Sequence, residues 1–206
     1  MKTIKIFFLV VLSGFCFSRL QAQQGVTRIS IGYTAGFPTS KFKDFISDAS
    51  FRGMDLRVLH GINDKLSVGF GTGFQDFYQK YPRQVYKLSD GSDVSAVISN
   101  SVQTVPLLAR AQYSFTPGKR IQPFVGLGAG GNMVLYRQYL GEFEGSKNKF
   151  AFQAQPEAGF YIPFKPGGIA GISLSGYYNI IPFKYNNTGN LNSVGFTVGV
   201  AFPTGN

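Results

Sequence analysis

From Val26 onward, apolar and polar residues alternate with a period of two, in one run after another. Period two marks a β-strand, because successive side chains leave opposite faces of the pleat. In 26–37, Ile29, Ile31, Tyr33, Ala35 and Phe37 share one face, while Arg28, Ser30, Gly32, Thr34 and Gly36 share the other. The same division recurs in 54–62, 66–74, 105–115, 121–133, 150–162, 170–180 and 193–202. Each run has one apolar face and one face of Gly, Ser, Thr, Gln and a few charges. A tilted strand needs about 9–11 residues to cross a bilayer, and these runs are of that length. The pattern predicts an all-β protein: an eight-stranded antiparallel transmembrane up-and-down β-barrel, apolar outside and small or polar inside.

The connections support this reading. Those at 63–65, 116–120 and 165–168 are short, whereas 38–50, 79–101, 137–149 and 182–192 are long. Short periplasmic turns opposite long external loops are the arrangement of outer-membrane barrels. Two aromatic girdles are expected at the interfaces. Tyr33, Phe37, Phe74, Phe77, Tyr78, Tyr136, Tyr139, Phe183 and Tyr185 fall near the long-loop ends. Tyr113, Phe115, Phe160, Phe164 and Phe202 fall near the short-turn ends. Within 79–101, "RQVYKL" and "VSAVIS" flank "SDGSD", and Asp90-Gly91 signals a hairpin that carries the two adjoining strands beyond the bilayer.

The N-terminus has a different composition. Lys2 and Lys5 precede a nearly all-apolar stretch from Ile4 to Phe17, and Leu20-Gln21-Ala22 resembles a cleavage site. This predicts a signal peptide over 1–22 and a barrel domain over 23–206. Removing 1–22 takes away Lys2, Lys5, Arg19 and no acid, which lowers the formal net charge from +10 to +7. It also removes Cys16, the one cysteine, and with it any disulfide or thiol chemistry. The basic balance of an exported chain suits anionic lipid headgroups rather than nucleic acid.

Five ionisable residues have inward parity: Arg28, Asp55, Arg57, Arg110 and Glu157. An eight-stranded barrel is just wide enough for side chains to fill its interior. Buried charges there must pair, and an ion-pair plug of Arg57 and Arg110 with Asp55 and Glu157 is expected. "GLGAGG" at 126–131 is glycine-rich, but no helix signal follows it. The glycines are better read as small residues on a crowded inner wall that also let the strand bend. No His/Cys/Asp/Glu grouping has metal-ligand spacing, and no cofactor is expected. Asp44, Asp48, Asp90 and Asp93 read as solvated loop charges.

Three segments carry a resemblance to a known family. "VPLLARAQYSF", "QPFVGLGAGGN" and "FQAQPEAGFYIPF" resemble consecutive strands of the small outer membrane β-barrel proteins of Bacteroidota, a broad OmpA/OmpX-like group that includes PorT-related barrels. Ser193 to Val200 is similar to the C-terminal signal read by barrel-assembly machinery, although the chain ends "PTGN" rather than on an aromatic. The resemblance implies an integral outer membrane protein in contact with lipopolysaccharide and other lipid. It implies a protein acting through loops and envelope protein partners, or an accessory of secretion or transport; a closed barrel has no free edge strand, so a monomer is expected. Barrels that modify lipid A use a His with a Ser and an acid. Here His60, the one histidine, has outward parity and Ile62 two residues on, so no enzyme is expected.

Overall fold

The computed structural model describes residues 25–87, 93–140, 143–185 and 188–204. Eight strands form the wall: β1 (Thr27–Pro38), β2 (Ser50–Gly61), β3 (Leu66–Lys80), β4 (Ile98–Ser114), β5 (Gln122–Leu140), β6 (Phe143–Pro163), β7 (Gly171–Asn179) and β8 (Ser193–Thr204). Each pairs antiparallel with its neighbours in the chain. β1 pairs with β8 from Thr27↔Thr204 to Pro38↔Ser193, which closes the barrel.

The alternation seen in the sequence becomes an inside and an outside. Ile31, Met54, Phe70, Leu107, Leu127, Phe152 and Leu174 all stand exposed on the outer wall, Phe70 at 67% and Leu107 at 65%. A continuous apolar exterior of this extent is what lipid, not water, accepts. Ala35 departs from its expected outward exposure. It is fully buried where the β1–β2 register shifts between Thr34 and Gly36.

The short turns follow from local chemistry. Asn63 Oδ1 accepts hydrogen bonds from the Lys65 and Leu66 amides at 2.9 and 2.8 Å, an Asx turn that reverses the chain into β3. Gly118 and Gly167 supply the positive φ, 76° and 72°, in the next two short turns.

The wall is not of even height. β5 and β6 stay paired as far as Leu140↔Phe143, and β3 and β4 as far as Lys80↔Ser99. β1 and β7 stop at Pro38 and Asn179. Four strands therefore rise above the other four at the long-loop end. The expected loop at 137–149 is corrected: nearly all of it is strand. Arg137, Gln138, Ser146, Lys147 and Asn148 break the apolar alternation above the belt, while backbone pairing continues. In 79–101, Gln84–Lys87 pairs with Asp93–Ala96 as a hairpin, and the Asp90-Gly91 turn lies outside the described residues. Pro182–Tyr185 and Thr188–Asn190 form a second small hairpin.

Candidate functional site: the packed lumen

The inner face of the barrel is filled in three layers. The middle layer is charged. β2 contributes Asp55 and Arg57, two residues apart and so on one face. β4 contributes Arg110 and β6 contributes Glu157. Arg57 Nε donates to Asp55 Oδ2 at 2.5 Å, and its Nη1 donates to Glu157 Oε1 and Oε2 at 2.9 and 2.8 Å. Arg110 Nη2 donates to Asp55 Oδ1 at 2.9 Å, and its Nη1 lies 3.4 Å from Glu157 Oε2. Each arginine bridges both carboxylates, which makes a closed ring of two cations and two anions. The structure thus brings together the four residues named from parity.

Two glycines make room for the ring. A β-carbon at Gly71 would stand 2.3 Å from Arg110 Nε, and one at Gly126 would stand 2.7 Å from Glu157 Oε1. The ring continues upward through amides. Arg110 Nη2 donates to Gln155 Oε1 at 2.6 Å, and Gln155 Nε2 donates to Asn179 Oδ1 at 2.8 Å. Gln153 Nε2 donates to the same Asn179 oxygen at 2.9 Å and accepts from Asn132 Nδ2 at 2.6 Å. Tyr177, which alternation alone did not single out, hydrogen-bonds through its hydroxyl to the Ala35 carbonyl oxygen at 3.2 Å.

The top layer is apolar. The 38–50 segment turns inward through a short 3-10 helix (Ser40–Phe42), placing Phe42 and Ile46 over the lumen. They pack with Phe77, Val102, Val134, Tyr136 and Ala151 of the tall wall and with Ile181, Phe183 and Leu191. Phe42 meets Phe77 edge-on at 4.9 Å, and Phe45 stacks on Tyr136 at 5.0 Å. Gln79 Oε1 accepts from the Ser47 amide, and Tyr81 donates to the Phe45 carbonyl. The expected girdle is corrected here. Phe77, Tyr136 and Phe183 face the lumen and are almost fully buried, whereas Tyr33, Phe37, Phe51 and Tyr78 are exposed on the outer wall. The sequence did carry a signal for the cap: "KFKDFIS" puts three large apolar residues into an otherwise polar loop.

The bottom layer, near the short turns, is aromatic. Phe124 and Tyr161 are buried with Ala201, and the Arg28 guanidinium lies 5.0 Å from the centre of the Tyr161 ring. Two small cavities separate the layers, of about 20 Å³ below the charged ring and about 30 Å³ above it.

His60 stands on the outer wall, its Nδ1 3.0 Å from Thr27 Oγ1. A hydroxyl–imidazole pair needs a third group to orient the base, and no ion pair among the described residues joins a carboxylate to this histidine. Among the described residues no group of three or more His, Cys, Asp or Glu side chains is placed to hold a metal.

The whole architecture has known counterparts. The family model for the outer membrane protein beta-barrel domain matches residues 7–202. The outer membrane protein OprG of Pseudomonas aeruginosa aligns with a TM-score of 0.53 at 14% identity, over 91% of this chain and 100% of that one. Ail of Yersinia pestis, in complex with the heparin analogue sucrose octasulfate, aligns with a TM-score of 0.52 at 15% identity, over 88% and 99%. Neisserial surface protein A aligns with a TM-score of 0.51 at 15% identity, over 85% and 94%. At such identities the likeness is one of fold. No curated protein sequence matches.

Proposed function

The chain belongs to the outer membrane protein beta-barrel domain family, and from that premise we propose that it is a non-conducting, non-enzymatic barrel working through its long-loop end. The observation that carries this reading is the filled lumen. An apolar cap, a ring of paired charges and an aromatic floor lie in series, with two small cavities of about 20 and about 30 Å³ between them. A hydrated ion or nutrient needs a continuous wet path, and porins keep one open with far more strands. The surfaces left for function are the raised strands β3–β6 and the two hairpins, which stand above the apolar belt.

In this reading the long-loop end faces outward and the short turns face the periplasm. Residues 1–22, which lie outside the described residues, are removed on export. The barrel is inserted as a monomer by barrel-assembly machinery that reads Ser193–Val200, since closure of β1 on β8 leaves no free edge within the belt. Its surroundings are lipopolysaccharide and other lipid, and its partners are envelope proteins. The sequence resemblance to PorT-related barrels of Bacteroidota supports one refinement, in which those partners belong to a secretion or transport system.

Planar-bilayer recording with the purified barrel tests the central point. The expected result is no conductance step, and steady channel activity overturns the reading. Co-purification from the native outer membrane identifies the partner. A deletion strain separates the two roles, because loss of secreted cargo supports the accessory role and normal secretion opposes it. A change in lipid A mass in that strain would overturn the non-enzymatic assignment.

A further inference from the structure

We propose that the lower lumen binds one small monovalent anion of chloride size, held between Arg28 and Arg57. Around the charged ring and the lower lumen, β1, β2, β4 and β6 contribute the buried arginines Arg28, Arg57 and Arg110 and the buried carboxylates Asp55 and Glu157. Both carboxylates are committed to Arg57 and Arg110. Arg28 is buried and forms no ion pair among the described residues, resting instead against the Tyr161 ring. No carboxylate among the described residues therefore stands within ion-pair distance of Arg28. A buried charge without a counter-charge is costly, and an anion is the simplest remedy.

Geometry places the anion. Arg57 spends Nε on Asp55 and Nη1 on Glu157, while its remaining nitrogen, Nη2, is buried and meets no protein acceptor. Arg57 and Arg28 both line the cavity of about 20 Å³ below the ring. Ser30, Gln112 and Ser173 line the same cavity, and each can turn an O–H or N–H toward its centre. None of its lining side chains is an acid. The cavity has room for more than one position of a water-sized sphere, so a monatomic anion fits. Arg28 is the second residue of β1, at the short-turn end, which makes that end the route of entry.

The test uses the full mature barrel folded in detergent micelles. Its thermal unfolding midpoint is followed by heat-dependent gel mobility while chloride is replaced by gluconate, too large for the cavity, at constant ionic strength. The expected result is a saturable rise in midpoint with chloride of roughly 2–4 °C, reproduced by bromide. Arg28→Gln is expected to abolish the chloride dependence, and Ser173→Ala to weaken it. Crystals grown in bromide are expected to show an anomalous peak within hydrogen-bonding reach of Arg57 Nη2. Equal midpoints in chloride and gluconate overturn the proposal. So does chloride dependence that survives Arg28→Gln, or a cavity without anomalous signal. The bromide map of the unmutated barrel decides the matter even where Arg28→Gln does not fold.

Discussion

Gly71 and Arg110 compete for the same space: a β-carbon on Gly71 would lie 2.3 Å from Arg110 Nε and 2.8 Å from its Cδ. Arg110 can avoid the clash only by leaving Asp55 and Gln155, to which its Nη2 is bonded. Gly71→Ala is therefore expected to destabilise the barrel by about 1–3 kcal/mol, the usual cost of overpacking. Gly176→Ala is the control, since a β-carbon there meets nothing nearer than the Gly195 carbonyl oxygen at 3.8 Å. Urea unfolding in lipid vesicles measures both. Equal midpoints for the two variants would remove the steric argument.

The charged ring makes a sharper prediction about pairs. Glu157→Leu leaves Arg57 and Arg110 sharing one carboxylate, and removing one partner of a buried pair costs about 3–5 kcal/mol. Arg57→Met leaves Asp55 and Glu157 with one arginine and is expected to cost a similar amount. Making both changes leaves Arg110 and Asp55 as a neutral pair at 2.9 Å. The double variant is therefore expected to be more stable than Glu157→Leu alone. A double variant whose loss equals the sum of the two single losses would show that the ring is not one coupled unit.

How far the sequence reached depends on where the solvent changes. Inside the belt, lipid and packed lumen impose opposite demands on alternate residues. Ile31 and Ser30, or Leu56 and Arg57, therefore declare their faces without any structure. The four ring residues emerge from the same parity, although parity says nothing of which residues touch across the lumen; Arg57 and Glu157 are 100 positions apart. Above the belt that opposition ends. Arg137 and Ser146 lie paired in a ladder that the sequence presents as loop, because the polar residues there carry no apolar alternation. Phe77 and Phe183 read as girdle aromatics because position along a strand does not reveal that a loop folds inward to meet them. The cap forms only when Phe42 and Ile46 are brought back over the mouth by a turn at Ser40–Phe42 that has no strong sequence marker.

The cap and the ring are separate closures, and this can be measured. Burial of Phe42 and Ile46 is nearly complete, so truncation of either to Ala costs the cap about 2–5 kcal/mol. Those contacts hold the 38–50 segment, while the paired strands below it do not depend on them. The double variant Phe42→Ala with Ile46→Ala is expected to become sensitive to protease within 38–50 and to keep its heat-dependent gel mobility. It is also expected to remain silent in planar bilayers, because the charged ring still blocks the path. Conductance in this variant would make the cap the sole closure.

If residues 1–22 act as a signal peptide, the outer-membrane form begins at Gln23 and has lost Cys16 along with three positive charges. Intact-mass measurement of the barrel purified from membranes is expected to match residues 23–206. A thiol-reactive maleimide is expected to leave that mass unchanged after denaturation, since no other cysteine exists in the chain. The alternative is an anchor at Cys16, but a large residue, Phe15, precedes that cysteine where a lipid-attachment site wants a small one. A mass carrying acyl chains on a form beginning at Cys16, or one retaining 1–22, would overturn the processing site. It would also add a second attachment to the membrane beside the apolar belt.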